Sequence, residues 1–352
     1  MWATLRRSWR WIRYLVGIGL AALALWALSG RRGELTGASG YLAHTMWPWV
    51  VLAAVLELAS IVAFALVQQE LLAAGDVSVP SVPITGITLA VTAIANSMPA
   101  GPVVSSVFAF RQYRHRGADE AVAGWTLAGV FVVASVSLAL VAVAGLGIAG
   151  AEGADFNLVG VTVAVFVAAL VLAVVFFQRR ARDWLVEAVL RSTRRLFRWP
   201  RGDLGAHVDR IVAHLTAVRL TPARGVRVFT WAIANWLLDC GCLVVAFHAV
   251  GVTVPWRGLL LAYGAGQLAA NLPITPGGLG VVEGSLTIAL VAFGGAENST
   301  VAAVLLYRII SFWAELPVGW AAWAALELSG RRSRARAAAT SGEPEQVAEV
   351  MA

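Results

Sequence analysis

Eight apolar runs dominate this chain of 352 residues. They cover 12–29, 47–67, 84–110, 121–150, 157–177, 226–250, 257–294 and 299–327. A straight helix needs about 20 apolar residues to cross a hydrocarbon core of ~30 Å. Hydrophobic residues make up 59% of the chain and charged residues only 13%, which is more apolar surface than one soluble core can bury. The sequence therefore predicts an all-α polytopic membrane protein and excludes a cytosolic enzyme or a secreted domain.

Two of the runs are interrupted by proline and glycine, whereas the other six predict full transmembrane helices. The interruptions lie at 96–102 in the run 84–110 and at 271–278 in the run 257–294. Proline removes a backbone donor and clashes with the preceding turn, and glycine permits a tight reversal. Each arm is about 12–17 residues, or roughly 18–26 Å, which is marginal for crossing. We predict two re-entrant helical hairpins, while pairs of short full spans stay open as the alternative.

Arginine supplies all 27 basic residues and sets the predicted orientation. The arginines cluster near the N-terminus, after residue 110, in the loop 178–225 and after residue 330. Basic loops stay on the cytoplasmic side. We therefore expect cytoplasmic N- and C-termini in the plasma (inner) membrane, and no nucleic-acid partner. The two broken segments then enter from opposite sides, which indicates an inverted repeat of the kind that places transporter sites near the bilayer midplane.

The chain divides into one membrane domain and a short tail. We expect a transmembrane domain over 1–328 that includes an amphipathic cytoplasmic loop at 178–225. The stretch 329–352 has no apolar period, so we expect a disordered cytoplasmic tail there.

Five acidic or arginine side chains lie well inside the apolar runs, away from the run ends. They are Glu57, Asp239, Glu283, Arg308 and Glu315. A charge at the bilayer centre costs at least ~2.5–3.5 kcal/mol, so such groups face partners or a wet cavity. Arg308 is the one cation of the five, and it suits either a pairing carboxylate, from Glu283 or Glu315, or a bound phosphate. For Glu57 and Asp239 we expect a structural role, with each acid satisfied by neighbouring amides.

No catalytic, metal or cofactor set emerges from the sequence. The five histidines are scattered, and the chain has no lysine for a phosphate-binding loop or a Schiff base. Its two cysteines form neither a disulfide framework nor a four-ligand zinc site. We therefore expect a protein that is not an enzyme.

The second broken segment carries the most specific motif. The run Asn271–Ser285 contains Pro-Gly-Gly-Leu-Gly-x-x-Glu, and Leu306-Tyr307-Arg308 and a last helix with Pro317 follow it. Together with the earlier Asn96-to-Arg111 segment, this run resembles the lysylphosphatidylglycerol synthase transmembrane-region family, also called flippase-like domain proteins. In the multiple peptide resistance factor branch, the membrane module is linked to moving aminoacylated lipid between leaflets. A separate soluble domain transfers the amino acid, and we expect this chain to lack that domain.

The resemblance implies a lipid or lipid-linked-substrate translocator that binds an anionic headgroup between two broken-helix hairpins. Its partners would be membrane lipids, with a homo-oligomer left open. A polyprenyl-phosphate-dependent glycosyltransferase and a non-transporting scaffold stay open as alternatives. The expected substrate-binding residues are Arg308, Glu283, Asn271, Pro276, Gly277, Gly278, Asn96, Arg111, Glu315 and Tyr307.

Overall fold

The computed structural model describes residues 45–98, 101–150, 220–270 and 276–341, with three isolated positions at 164, 167 and 171. All regular structure within these residues is helical. The elements in chain order are α1 (Trp47–Ala74), α2 (Ser81–Ser97), α3 (Gly101–Arg114), α4 (Glu120–Gly150), α5 (Pro222–Ala249), α6 (Trp256–Ala270), a 3-10 turn (Pro276–Gly278), α7 (Val281–Ala292), α8 (Glu297–Arg308), a π-helical turn (Ile309–Trp313) and α9 (Glu315–Ser341).

Within the described residues, four helical segments are long and apolar enough to cross a membrane. They are Trp47–Ala74, Glu120–Ala149, Pro222–Ala249 and Glu297–Gly330, the last of which joins α8, the π-helical turn and most of α9. Each coincides with a full helix expected from the sequence. The other two expected helices, over 12–29 and 157–177, lie outside the described residues.

Helix α1 shows why the fold belongs in lipid. Val51, Val55 and Leu58 share one face at spacings of four and three residues, and all three are exposed. The opposite face buries the polar side chains of Glu57 and Ser60. A water-soluble helix has the reverse pattern, because burying apolar surface is what stabilises it in water. The described fold is therefore that of a multi-pass membrane protein.

Helices α1 and α5 form an antiparallel pair that is locked at both ends. At one end the main-chain N–H of Met46 donates to the carbonyl of Ala249 at 2.8 Å. At the other end Arg227 binds both carboxylate oxygens of Glu70, at 2.8 and 3.0 Å, and Arg224 donates to the carbonyl of Ala73. These contacts set the register of the pair along its length.

Each interrupted run forms two short helices that pack side by side. Helices α2 and α3 come from the first run and α6 and α7 from the second. At 1.5 Å per residue the longest of the four measures only about 26 Å, which is less than the ~30 Å core. The breaks and the short arms occur where the sequence predicts them. Whether the arms return to the side they entered from stays a prediction.

The last helix extends beyond residue 328, where the sequence predicts that the membrane domain ends. Helix α9 continues to Ser341, so residues 329–341 are helical rather than disordered. Alanine and arginine are strong helix formers, and this stretch is rich in both, which lets the helix continue past its apolar part. Residues 342–352 lie outside the described residues.

Small residues allow α4 and α6 to cross closely. A Cβ placed on Gly145 would lie 2.5 Å from the backbone nitrogen of Leu261, and one on Gly264 would lie 2.8 Å from the Cβ of Ala142. Close backbone approach at small residues is a main source of helix association in lipid, where hydrophobic burial gives little driving force.

We predict that Gly145→Ala destabilises the protein by about 1–3 kcal/mol, because the added methyl group meets backbone atoms that cannot move aside. Thermal unfolding in detergent micelles measures the effect. The matched control is Gly147→Ala, two residues along α4, where a Cβ would meet no atom within 4 Å. Equal stability of the two variants would contradict a tight crossing at Gly145.

Candidate functional site

The candidate site begins at a glycine-rich reversal between α6 and α7. Gly277, Gly278 and Gly280 have φ angles of 60°, 67° and 79°. Residues with a Cβ rarely adopt this left-handed region, so the motif needs glycine at these positions. The reversal starts α7 at Val281. It also leaves the main-chain N–H of Gly280 and the carbonyl of Gly277 free to bind side chains.

A buried ion pair joins this reversal to α8. The Nε of Arg308 lies 2.7 Å from Oε1 of Glu283, and the two side chains are only 9% and 14% exposed. One terminal nitrogen of Arg308 also donates to the carbonyl of Gly277 at 3.1 Å. The guanidinium lies 4.4 Å from the ring centroid of Phe312, a cation–π distance. Of the two carboxylates that the sequence offered to Arg308, Glu283 is the one that pairs.

Both carboxylate oxygens of Glu283 are bound by other groups of the protein. Its second oxygen, Oε2, accepts a hydrogen bond from the N–H of Gly280 at 2.6 Å. A helix N-terminus carries partial positive charge, and α7 begins at this point. A guanidinium, a main-chain N–H and a helix N-terminus therefore converge on one negative group, and these are the groups that bind a phosphate elsewhere.

The two interruptions of the chain meet beside this ion pair. Helix α2 packs against the 3-10 turn, and a Cβ on Gly277 would lie 3.4 Å from the carbonyl oxygen of Asn96. The same Cβ would overlap the ring of Phe312. On the other side, Trp320 of α9 donates to the hydroxyl of Ser97 at 3.1 Å. The end of α2 and the start of α7 are thus brought together around Arg308.

A second polar network surrounds Asp239 on α5. Its Oδ2 accepts hydrogen bonds from the hydroxyl of Tyr263 at 2.6 Å and from the amide of Gln267 at 3.0 Å. Its Oδ1 accepts one from the hydroxyl of Tyr307 at 2.8 Å. Tyr307 directly precedes Arg308 in α8, so the Asp239 network and the Arg308–Glu283 ion pair are joined by neighbouring residues of one helix. The sequence predicts that an amide binds the Asp239 carboxylate, and Gln267 supplies that amide. The hydroxyls of Tyr263 and Tyr307 bind it as well.

Three carboxyl groups lie near one another, of which Glu57 and Asp239 are buried and Glu315 is half-buried. Glu57 on α1 is one turn from Ser60, whose hydroxyl donates to the carbonyl of Asn235 one turn before Asp239, and its charge is within electrostatic range of Asp239 and Glu315. Glu57 is only 7% exposed, and its Oε2 has no hydrogen-bond partner among the described residues. Neighbouring amides therefore do not satisfy it, contrary to the sequence expectation. Within the described part of the chain, no three His, Cys, Asp or Glu side chains are arranged to hold a metal ion.

The π-helical turn after Arg308 orients Glu315. The N–H of Ala314 donates to the carbonyl of Ile309, five residues earlier, at 2.8 Å. Such a turn inserts one residue into the helix and rotates the residues after it by roughly 100° relative to a regular helix. Glu315 therefore contacts Glu57 instead of forming an ion pair with Arg308. Helical spacing alone had placed Arg308 and Glu315 on one face.

The structure brings together part of the predicted substrate-binding set. Arg308, Glu283 and the Gly277 carbonyl form the ion-pair site, and Gly278 is buried in the same reversal. The other six predicted residues have other positions. Tyr307 binds Asp239, Glu315 contacts Glu57, Asn96 contributes its main chain, Pro276 begins the 3-10 turn, Arg111 is exposed in the last turn of α3, and Asn271 lies outside the described residues.

Sequence reasoning missed four contributors to the two networks. Gly280 and Phe312 contact the ion pair, and Tyr263 and Gln267 bind Asp239. Tyr263 and Gln267 are four residues apart in an otherwise apolar helix, so they share one face. That pairing of polar side chains was the available signal.

Comparison with known proteins agrees with this architecture. A family described as "Lysylphosphatidylglycerol synthase TM region" matches residues 11–319. The chain belongs to this family. Two curated relatives, both named UPF0104 membrane protein and both from Methanothermobacter thermautotrophicus, are 37% identical over 91 residues and 30% identical over 92 residues. Each match covers 26% of this chain and 26% or 28% of the relative. The chain thus spans about a quarter of the length of these relatives.

We predict that Arg308→Met destabilises the protein by about 3 kcal/mol, because it leaves the Glu283 carboxylate buried without its counter-charge. The double variant Arg308→Met with Glu283→Gln should recover at least ~1 kcal/mol of that loss, since neither charge remains. A double-mutant cycle on thermal unfolding in micelles measures both values. Strictly additive losses would mean that the two side chains do not interact.

Proposed function

We propose that this protein moves an anionic lipid or lipid-linked headgroup across the plasma membrane without making or breaking a covalent bond. The observation that carries the proposal is the buried Arg308 guanidinium at the meeting point of the two chain interruptions. Membership of the lysylphosphatidylglycerol synthase TM region family supports a substrate that is a membrane lipid. The positions of the two hairpins on opposite sides and the cytoplasmic termini belong to this proposal.

The free-energy cost of placing Arg308 inside the membrane supports a functional role for this residue. An intramembrane arginine costs at least ~2.5–3.5 kcal/mol by insertion scales. Replacing a buried ion pair with apolar residues is often neutral or stabilising, so structural need alone does not require one. Arg308 also lies about 17 Å from the start of α8, at 1.5 Å per residue, which is near mid-depth of a ~30 Å core.

The proposed binding step is an exchange of anions at Arg308. A phosphate oxygen of the headgroup would replace Oε1 of Glu283 at the guanidinium, and the Gly280 N–H at the start of α7 would face the same anion. Gly280 is exposed, so the receptor can be approached from that side. Phosphate and guanidinium form paired charge-assisted hydrogen bonds, which offset part of the headgroup's desolvation.

We predict that the purified protein in vesicles accelerates movement of a headgroup-labelled phosphatidylglycerol between leaflets. The double variant Arg308→Met with Glu283→Gln should lower the rate at least about tenfold, because a charge-assisted contact of ~1.5–3 kcal/mol is lost. This variant keeps no unpaired buried charge, and its thermal unfolding in micelles, measured alongside, separates a loss of rate from a loss of folded protein. Chemical quenching of outer-leaflet label follows the movement.

The matched control is Arg227→Gln, which removes an exposed arginine whose ion pair with Glu70 is screened by solvent. It should translocate at the wild-type rate. A wild-type rate equal to that of protein-free vesicles would overturn the proposed function.

We also predict that Glu283→Gln binds anionic headgroups more tightly than the wild type does. The neutral amide no longer competes for Arg308, so roughly a tenfold gain in affinity is expected. Titration calorimetry with short-chain phosphatidylglycerol in micelles measures it, and short-chain phosphatidylcholine is the zwitterionic comparison. Weaker binding by this variant would show that Glu283 supports the headgroup instead of occupying its place.

A further inference from the structure

The interior of the described part of the chain contains more carboxyl groups than its cation can neutralise. Glu57, Asp239, Glu283 and Glu315 face one guanidinium, Arg308, which already pairs with Glu283. Neighbouring carboxyl groups cannot all be ionised in a medium of low polarity, since like charges close to one another repel strongly. A set of neighbouring carboxyl groups therefore keeps at least one proton, which its members share as the two acids of a carboxylate dyad do.

The hydrogen bonds indicate where that proton resides. Asp239 accepts hydrogen bonds from Tyr263, Gln267 and Tyr307, which favours its ionised form. The Cys242 thiol, a weak donor, is the group that reaches Glu57, and the Oε2 of Glu57 is buried without a hydrogen-bond partner among the described residues. Its neighbours Asp239 and Glu315 offer only acceptor oxygens when ionised. A proton on Glu57 supplies the missing donor.

Glu57 and Asp239 lie at the same distance from one end of the helix pair α1 and α5. Glu57 is ten residues into α1, and Asp239 is ten residues from the end of α5. These two helix ends are joined through Met46 and Ala249, so both carboxyls are about 15 Å from the same end at 1.5 Å per residue. With these helix ends at the membrane surface, 15 Å is the middle of a ~30 Å hydrocarbon core.

We propose that Glu57, Asp239 and Glu315 share one exchangeable proton, and that this proton crosses the membrane together with the headgroup held at Arg308. The second part rests on the proposed function. The step is a proton transfer only: one proton from water binds a Glu57 carboxylate oxygen on one side and returns to water on the other. The structure connects the two sites through the adjacent residues Tyr307 and Arg308, of which the first binds Asp239 and the second binds Glu283.

Electrostatics gives the direction of the coupling. A headgroup brings a negative charge beside the buried carboxylates, so its binding strengthens proton binding, and by reciprocity a bound proton strengthens headgroup binding. Proton and headgroup therefore bind together and move in the same direction. With one linked proton, headgroup affinity rises by up to about tenfold for each unit that the pH falls.

The titratable and charged groups around this proton come from six helices. They are Glu57 (α1), Asp239, Cys240 and Cys242 (α5), Tyr263 (α6), Glu283 (α7), Tyr307 and Arg308 (α8) and Glu315 (α9). The thiols and phenols are buried among carboxyl groups and stay neutral through the range in which carboxyls titrate. The exchangeable proton is thus assigned to carboxyl oxygens.

The first experiment tests the proton site without any transport. An infrared difference spectrum of the purified full-length protein between acidic and alkaline pH should contain the carbonyl band of a protonated buried carboxyl group. Glu57→Gln should lose that band, because its amide supplies the missing donor permanently. The matched control is Glu70→Gln, the same change at a half-buried position near the other end of α1, which should keep the band. A band that survives Glu57→Gln would overturn the assignment.

The second experiment tests the coupling in vesicles that contain labelled phosphatidylglycerol, with an imposed pH gradient and a pH-sensitive dye inside. Wild type should move label faster from the acidic side and should acidify the opposite side as it does so. Glu57→Gln should move label at a rate that no longer depends on the gradient. Wild-type movement that ignores the gradient would overturn the coupling.

The two experiments separate this inference from the function on which it rests. If the infrared band depends on Glu57 but no label moves in any vesicle, the proton site stands and lipid translocation fails. If label moves and no protonated carboxyl is detected, translocation stands and the proton inference fails.

Discussion

The contact between Arg308 and Glu283 constrains the rest of this structure. A guanidinium at mid-depth of a membrane is tolerated only with a counter-charge and hydrogen bonds, and both come from the glycine-rich reversal between α6 and α7. The reversal must therefore be held at a fixed position against α8. The end of α2 beside Gly277 and the contact between Trp320 and Ser97 hold it there. The broken helices and the ion pair thus serve one requirement, which is to surround the Arg308 guanidinium with a counter-charge and hydrogen-bond acceptors.

The protein concentrates its polar groups inside and leaves apolar side chains on its outer faces. In lipid, close packing and interior hydrogen bonds hold helices together because water no longer drives apolar association. Gly145 and Gly264 supply close packing between α4 and α6, and Ser60 of α1 donates to the main-chain carbonyl of Asn235 on α5 at 3.0 Å. Glu57 lies one turn from Ser60 and Asp239 one turn from Asn235. The interface that holds α1 to α5 therefore also carries the acidic pair.

The four described spans and the two interruptions could be predicted from the sequence, because apolar run length and the position of proline and glycine depend on local chemistry. The ionisable residues inside the runs were found for the same reason. Which of them pair was not predictable. The π-helical turn at Ile309–Trp313 rotates Glu315 towards Glu57, and no local sequence pattern predicts such a turn. The three donors to Asp239 come from α6 and α8, so the network depends on tertiary packing. Its only local trace is the spacing of Tyr263 and Gln267.

The central claim is that Arg308 is a receptor for an anionic headgroup that Glu283 occupies in the unliganded protein. The most direct measurement is the identity of the lipid that copurifies with the protein, determined by mass spectrometry for the wild type and for Arg308→Ala. The account predicts that anionic lipid is enriched with the wild type over its share of the membrane and that this enrichment disappears in the variant. The same lipid composition with both proteins would contradict it.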